Sequence, residues 1–497
     1  MADRPEIGSQ VAVLLRRARE VYVDLPEVTE RIDACAARLD GPIRVAIAGK
    51  VKAGKSTLLN AMVGEIIAPT DAGECTRIVT WYRDAPVPRM TLQSHDGGLR
   101  DLPINRKDGR LLIDLCGVAP EQVERLSVDW PSIDLAAMTL IDTPGIASTS
   151  AELSARTEAF LTPGSEPGEA DAIVYLMRHV HADDIGFLQA FHAHSATGSS
   201  PVNTVAVLSR ADEIGAGRVD ALTSAGQIAR RMRSDHAIRA LCQTVVPVAG
   251  LLAETGRTLR QAEFNALAVL AAADRDYVEG LLLSADRFSR ELPEGAPDLP
   301  PAEVRRELLV RLGLFGVRIA LPLIRQGFAD APALAGELVR RSGLADLTGA
   351  LAALFTERAG LLKARSVLLT LERMIRQVPT DASAELLGEI ERITAGAHEF
   401  VELALLGALR AGVVAMDPEL TAEAERILGG SGQKPWVRLG LNFGTPPAKL
   451  RAEAAETLTR WRRRAENPVS VRAVADAARV VVRTCEGIIA ALPPQGA

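Results

Sequence analysis

The sequence is poor in the residues that would place it outside a reducing, aqueous compartment. Its five cysteines, Cys35, Cys75, Cys116, Cys242 and Cys485, are scattered through 497 residues with no CxxC pair. Neither a zinc site nor a disulfide framework is expected, and they read as reduced thiols. Long apolar runs are missing as well. The best candidate, Leu308 to Ile324, carries Arg311, Arg318 and Pro322 and falls short of the roughly 20 clean apolar residues that a spanning helix needs. The opening MADRPEIGSQ lacks the apolar core of a secretory signal, so a cytoplasmic location is expected. Positive charge is not in excess: 57 Lys and Arg against 63 Asp and Glu give a net charge of −6. This balance argues against wholesale binding to nucleic acid or to anionic lipid, and any membrane contact must be local. No internal repeat or low-complexity tract is visible.

What is present describes a globular, multidomain protein. An apolar share of 47% with 24% charge supports packed cores, and the length exceeds what one core ordinarily serves. Residues 9 to 40 show helical apolar spacing (Val11, Leu14, Leu15, Ala18, then Val28, Ile32, Ala36, Leu39), interrupted at Pro26. Residues 1–41 are therefore predicted to be an N-terminal helical arm. From Pro42 to about Gly250, short β-rich runs alternate with helical or loop segments: IRVAIAG, TRIVTWY, RMTLQSH, MTLIDTP, AIVYLM, TVAVLS and TVVPVA. That alternation predicts an α/β fold with a doubly wound, mostly parallel sheet and a ligand at the carboxyl ends of its strands. This domain is predicted over 42–343, with a helical elaboration at about 251–341. Residues 344–497 contain no strand signal. Three helical stretches, about 344–377, 382–412 and 447–491, the last divided near Pro468, predict an extended antiparallel bundle. One helix over 344–377 would span about 50 Å.

The motifs supply the chemistry. Gly49-Lys50-Val51-Lys52-Ala53-Gly54-Lys55-Ser56 follows an apolar strand and precedes a helical run starting at Thr57. Its backbone N–H groups can cradle phosphate, Lys55 can reach the β and γ phosphates, and the Ser56 hydroxyl can bind Mg²⁺. Asp142-Thr143-Pro144-Gly145 closes a strand; there Asp142 can hold Mg²⁺ through water and the Gly145 N–H can sense the γ phosphate. Ser209-Arg210-Ala211-Asp212 occupies the place of a base-recognition motif. A carboxylate at Asp212 accepts from both N–H donors on the guanine edge, a donor pair that adenine lacks, so GTP is favoured; the bland alternative is a helix cap. The polar segment Pro69 to Arg77 offers Thr76, with Thr70 as the alternative, to bind Mg²⁺ and orient the attacking water. Ala249 of Val248-Ala249-Gly250 stands where a backbone N–H can touch the guanine carbonyl.

The order and spacing of these motifs, with the P-T-x5-T-R pattern of Pro69 to Arg77, the DTPG, the S-R-A-D and the long flanking helices, resemble the dynamin superfamily, bacterial dynamin-like proteins in particular. The stretches A-G-x-x-K-A-G-K-S-T, I-A-P-T-D-A, T-R-I-V-T-W, S-R-A-D-E-I-G-A-G-R and T-L-R-Q-A-E-F carry the resemblance to one bacterial branch over nearly the whole chain. It implies a P-loop GTPase head, a neck, and a helical trunk that touches lipid at the inner face of the cell membrane. It further implies homo-oligomer assembly through the GTPase domains, or with a paralogous dynamin-like protein, that stimulates hydrolysis of GTP to GDP and remodels membrane. A cell-envelope stress setting goes with it. Two departures matter. Val51-Lys52 replaces the Gln-Ser of eukaryotic dynamins, whose serine helps place a monovalent cation, so either Lys52 supplies that charge or it is a solvated surface lysine. Ile146 stands where many regulatory GTPases have a water-orienting Gln.

Other candidates weigh less. His179 and His181 with Asp183 and Asp184, and His192 with His194, lack ligand spacing. The cluster Arg460, Arg462, Arg463 and Arg464 around Trp461 reads as a solvated helix face pairing with Glu453 and Glu456. The Gly-rich loop 429–447, with Trp436, Leu439, Leu441, Phe443, Lys434 and Arg438, either contacts lipid or packs its aromatics on the bundle; the turn Val378 to Ser383 is a rival tip. Alternatives to a membrane-remodelling GTPase are a soluble regulatory GTPase with a partner-binding helical tail and a scaffold that scarcely hydrolyses.

Overall fold

The computed structural model describes residues 6–69, 78–107, 109–144, 170–178, 184–186, 188–189, 201–292 and 297–493. Thr70, Cys75, Thr76, Arg77, Gly145, Ile146, His179, His181, Asp183, His192 and His194 lie outside the described residues.

Two helices lead in, α1 (Ile7–Val21) and α2 (Pro26–Asp40). Pro26 begins the second helix, where its missing N–H costs nothing. Among the described residues eleven strands follow: β1 (Ile43–Gly49), β2 (Thr80–Asp84), β3 (Arg89–Ser94), β4 (Leu99–Leu102), β5 (Asn105–Lys107), β6 (Arg110–Leu112), β7 (Val123–Trp130), β8 (Met138–Asp142), β9 (Ala172–Met177), β10 (Thr204–Ser209) and β11 (Thr244–Val248). Nine of them form one sheet in the order β11-β10-β9-β1-β8-β2-β7-β3-β4, and β5 and β6 make a separate hairpin. The run from β11 to β8 is wholly parallel. β2 lies antiparallel to β8, and β7 is parallel to β2. The sheet is therefore mixed but mostly parallel. Its double winding is visible along β1, where Val45 and Ile47 enter one core and Ala46 and Ala48 the other. β9 and β10 are buried at every residue, which is why both read as unbroken apolar runs. The eight-residue β7 is not apparent from the sequence, because Glu124 and Arg125 interrupt its alternation of Val123, Leu126, Val128 and Trp130.

The region after residue 343 is helical, but its helices are shorter than the sequence predicts. The expected helix over 344–377 is two, Leu344–Leu354 and Ala359–Gln377, separated by a 3-10 turn at Thr356–Arg358. Burial fixes this break: Phe355 is wholly enclosed, and the buried Arg358 donates to the carbonyl oxygens of Leu428, at 3.3 Å, and Gly429. The stretch 382–412 is likewise Ser383–Gly396 and His398–Arg410, divided where Ala397 turns extended. The last stretch divides around Pro468 into Pro447–Glu466 and Arg472–Ala491.

These helices bury their apolar faces in two cores. In the first, α1 and α2 pack on Ala359–Gln377 and Ser383–Gly396 through Leu14, Leu15, Ile32, Leu368, Leu371, Met374 and Ile390. Each such side chain contributes about 1.5–3 kcal/mol on burial. In the second, Leu403, Leu406, Leu409, Ile427, Trp461, Val481 and Cys485 share a continuous core with one face of the sheet.

Polar contacts seal the joints. Arg38 of α2 donates to Asp171 Oδ1 at 3.0 and 2.7 Å, and Lys363 donates to the carbonyls of Leu39 and Gly41, both at 2.6 Å. Arg410 donates to Cys242 O at 2.9 Å and Gln243 O at 2.7 Å and pairs with Glu425 at 3.2 Å.

Within 429–447 a short helix, Pro435–Leu439, packs Leu439, Trp436 and Leu441 toward Leu450 and Ile488. Arg438 pairs with Glu402 at 2.6 Å and Lys434 lies 3.7 Å from Glu357. Both cations offered to lipid are thus engaged inside the chain, and Phe443, 86% exposed, is the open aromatic there. Trp461 is fully buried, its Nε1 donating to Glu423 at 3.1 Å. Arg460 pairs with Glu423 and Glu456, so Glu423 takes the place expected for Glu453. Among the described residues, no helix is long and apolar enough to cross a membrane.

Candidate functional site

The loop after β1 reverses direction at Gly49, whose φ is +151°. A Cβ there would stand 2.6 Å from Leu176 O, so glycine is required by both backbone and space. Gly54, in the left-handed region, precedes α3 (Lys55–Val63). Lys55, Ser56 and Thr57 thus occupy the positive end of a helix, where backbone N–H groups favour an anion. Ala53 N–H closes a tight turn onto Lys50 O at 3.1 Å. Lys52 is exposed at φ +62°, Val51 is half exposed, and Lys50 lies 3.6 Å from the buried Asp184.

Lys55 Nζ donates to Gly49 O at 3.3 Å, and burial lowers the ammonium's pKa against the opposing pull of Asp142. Ser56 Oγ donates to Asp142 Oδ2 at 3.2 Å. The other oxygen, Asp142 Oδ1, is buried and has no hydrogen-bond partner among the described residues. Burial raises the pKa of this carboxyl, while Lys55 and Ser56 oppose the rise. A hydroxyl, a buried carboxylate with one orphaned oxygen and an adjacent phosphate cradle make a donor set of hard oxygens suited to Mg²⁺. The Thr143 hydroxyl, by contrast, is spent on Ile47 O at 2.9 Å.

Beside the loop, a cleft of about 530 Å³, its open mouth included, is lined by Ala53, Gly54, Thr57, Arg210, Asp212 and Gly250 among others. Asp212 is 8% exposed, and burial raises its pKa. It lines the cleft, and its own backbone N–H opposes the rise. Arg210, with φ +53°, donates to Lys52 O at 2.9 Å and pairs with Glu213, tying the base side to the phosphate loop. Ser209 lines the cleft, but its hydroxyl donates to Met177 O at 3.2 Å.

One expectation is corrected. The Ala249 N–H donates to Ser342 O at 2.9 Å, so it is not presented to a base, and its neighbours Val248 and Gly250 line the cleft instead. The cause is the close approach at Gly343, φ +82°, where a Cβ would lie 2.1 Å from Pro247 O. Leu58, Leu176, Val207, Glu213 and Leu251 also line the cleft and escaped the sequence reading. Their common signal is position, at strand ends and first helical turns beside the motifs. The structure thus brings together Lys55, Ser56, Thr57, Asp142, Arg210 and Asp212.

Comparison with known proteins agrees with this geometry. Residues 45–183 match the model of the Dynamin family. The chain is 39% identical over 489 residues to the isoniazid-induced protein IniC of Mycobacterium tuberculosis, covering 98% of each. It is 28% identical over 154 residues to a bacterial dynamin-like protein of Nostoc punctiforme, which is 28% of this chain and 20% of that one. A solved structure from an oligomerised bacterial dynamin pair aligns with 97% of this chain and 73% of its own at 12% identity, with a TM-score of 0.31, too low for its geometry to be carried over. With its sheet, its phosphate loop and an end-to-end match to IniC, the chain belongs to the bacterial dynamin-like GTPases.

Proposed function

We propose that this dynamin-like protein hydrolyses GTP to GDP and phosphate with Mg²⁺, and that it couples turnover to self-association and membrane remodelling at the inner face of the cell membrane. The observation that carries the catalytic half is the orphaned Asp142 Oδ1 beside Ser56 and Lys55. Asp212 accepts from the two guanine N–H donors, and the stem of Arg210 lies over the base. Lys55 and the amides of Gly49, Val51, Lys52, Ala53, Gly54, Ser56 and Thr57 hold the phosphates. Ser56 and Thr76, with Asp142 through water, would hold Mg²⁺, which would offset charge on the phosphate oxygens. Gly145 N–H contacts the γ phosphate, and the Thr76 carbonyl orients a water whose oxygen attacks phosphorus as the bond to the β phosphate breaks. Lys52 adds a positive charge near the transferring group.

The division into an arm (1–41), a GTPase domain (42–343) and a helical neck and trunk (344–497) belongs to the same reading. Assembly runs through the GTPase domains, with a second copy or a paralogous dynamin-like chain. The name of the relative IniC speaks of induction by isoniazid, and a role in cell-envelope stress or isoniazid tolerance is proposed on that likeness. Phe443 is the lipid-facing candidate of 429–447. GTP turnover measured against protein concentration, with and without anionic liposomes, tests the whole. Specific activity that rises with concentration and lipid supports it; flat activity and no liposome sedimentation favour a soluble regulatory GTPase. Undiminished sedimentation of Phe443→Ser removes that loop as the main contact.

A further inference from the structure

The helical region holds a cavity of about 770 Å³, its open mouth included, that shares no lining residue with the nucleotide cleft. Three helices enclose it: Ala359–Gln377, Ser383–Gly396 and His398–Arg410. The first contributes Arg365, Leu368, Leu369 and Glu372, and the third Phe400, Leu403, Ala404 and Gly407. Both sets follow the i, i+3, i+4, i+7 spacing, so each is one stripe along its helix, about 10 Å long. Ile390 and Thr394, one turn apart, come from the second helix. Leu368, Ile390, Phe400 and Leu403 are buried and make the floor apolar, while Ala404 and Gly407 are too small to fill the space beside them. The slot lies on a seam: Leu368, Ile390 and Phe400 belong to the core built with α1 and α2, and Leu403 to the core shared with the sheet. Its polar groups are few. The Thr394 hydroxyl is spent on Ile390 O at 2.8 Å. Glu372 accepts from Arg376 at 2.8 and 3.2 Å, which offsets its charge. Arg365, two turns away at the other end of the stripe, brings a guanidinium whose five N–H donors can serve an anion alongside a neighbour in the chain. Burial lowers the pKa of that group, and an anion beside it favours its charged form.

We propose that this slot is a binding site for a free medium-chain carboxylate, its single alkyl chain lying along Leu368, Phe400 and Leu403 and its anionic head at Arg365. A concave, mostly apolar site of this size with one charged group to fix orientation has the usual form of a small-molecule pocket. An alkyl chain with a charge at one end matches a slot about 10 Å long with a cation at one end. A polar ligand would set its donors and acceptors against leucine side chains and lose their hydrogen bonds to water. Thr394 and Ala404 are exposed, so the ligand enters from solvent. Because the walls come from both cores, the bound chain joins them, and by binding the folded protein alone it raises the melting temperature.

The test titrates the full-length protein with hexanoate, octanoate, octanol and dihexanoyl phosphatidylglycerol by isothermal calorimetry. Octanoate is expected to saturate one site per chain and to bind about 15-fold more tightly than hexanoate, at about fourfold per buried methylene. The two-chain lipid is expected to bind more weakly than octanoate. Arg365→Gln is expected to weaken octanoate by about tenfold or more, the worth of a hydrogen bond to a charged group, and to leave octanol nearly unchanged. Ala404→Trp fills the slot from an exposed position and is expected to abolish binding of both, with circular dichroism and melting temperature close to the parent's. Ala404→Leu, a smaller change expected to weaken both, keeps the test decisive if tryptophan disturbs the fold. The proposal is overturned if octanoate does not saturate, if hexanoate matches it, or if the two-chain lipid binds more tightly. It is equally overturned if Arg365→Gln or a folded Ala404 variant binds octanoate as the parent does.

Discussion

At the scale of single residues, the site turns on carboxylates that the fold has removed from water. Asp212 is enclosed in the cleft with its pKa raised by burial, and on the proposed reading guanine would offer it two N–H donors. Asp212→Asn turns one acceptor into a donor and sets it against a guanine N–H. GTP affinity is expected to fall by about 5- to 150-fold, since an unpaired buried polar group costs about 1–3 kcal/mol; equilibrium binding of a fluorescent analogue measures this. Lys52 presents a different economy. Its left-handed backbone costs about 1–2 kcal/mol, a strain that glycine would relieve, yet a lysine stands there with its side chain exposed. If its charge serves the chemical step, Lys52→Ala lowers turnover at fixed K⁺ without weakening GTP binding. Unchanged turnover would show a solvated lysine only. The motif residues were legible in the sequence because their spacing is local. The amide of Ala249 was not, because its partner Ser342 is 93 positions away and only the close approach at Gly343 brings them together.

At the scale of elements, buried acids couple helices to one another and make their packing depend on pH. Burial raises the Glu254 carboxyl above its ordinary 4.5, with Asn60, Arg311 and Arg110 opposing the shift. A raised folded-state value means that the stability is fully present below about pH 4.5 and is lost as pH rises through the folded value. Glu254→Gln removes this titration. Its melting temperature, compared with that of the parent, is therefore expected to rise as pH increases above about 4.5, and a difference that does not change with pH would contradict the burial argument. Strand positions were largely visible as apolar runs, β9 and β10 most of all. β7 was hidden by Glu124 and Arg125, and β4 to β6 by their exposed polar sequences. The helix break at Phe355 to Arg358 was invisible because no proline or glycine stands within it, whereas at Ala397 the adjacent Gly396 is a local signal that the helical apolar spacing on both sides outweighs. Burial of Phe355 and the contacts of Arg358 with Leu428 and Gly429 impose the first.

At the scale of the whole molecule, the helical region closes against the base of the sheet through Arg410, Glu425 and Arg239. Arg410→Ala strips Cys242 O and Gln243 O of a donor and leaves Glu425 with Arg239. Removing one partner of a buried pair costs about 3–5 kcal/mol. Cys242, buried and with its thiol pushed up to about 12, is a reporter of this joint. It is expected to resist alkylation at pH 8 in the parent protein and to react measurably faster in Arg410→Ala, as followed by peptide mass spectrometry. Equal labelling would mean that the joint does not depend on the arginine.

The sequence by itself determined the phosphate loop, the order of the parallel strands' apolar runs and the helical character of the ends. Each of these follows from residues within a few positions of one another, whose backbone demands and hydrophobic period are intrinsic. Tertiary structure alone decided that the helices are shorter and bury two cores, that Trp461 is core, that the cations of 429–447 are already paired, and that Ala249 serves Ser342. Those outcomes depend on which distant surfaces meet, and side-chain burial and hydrogen-bond satisfaction across such meetings leave no local mark in the chain.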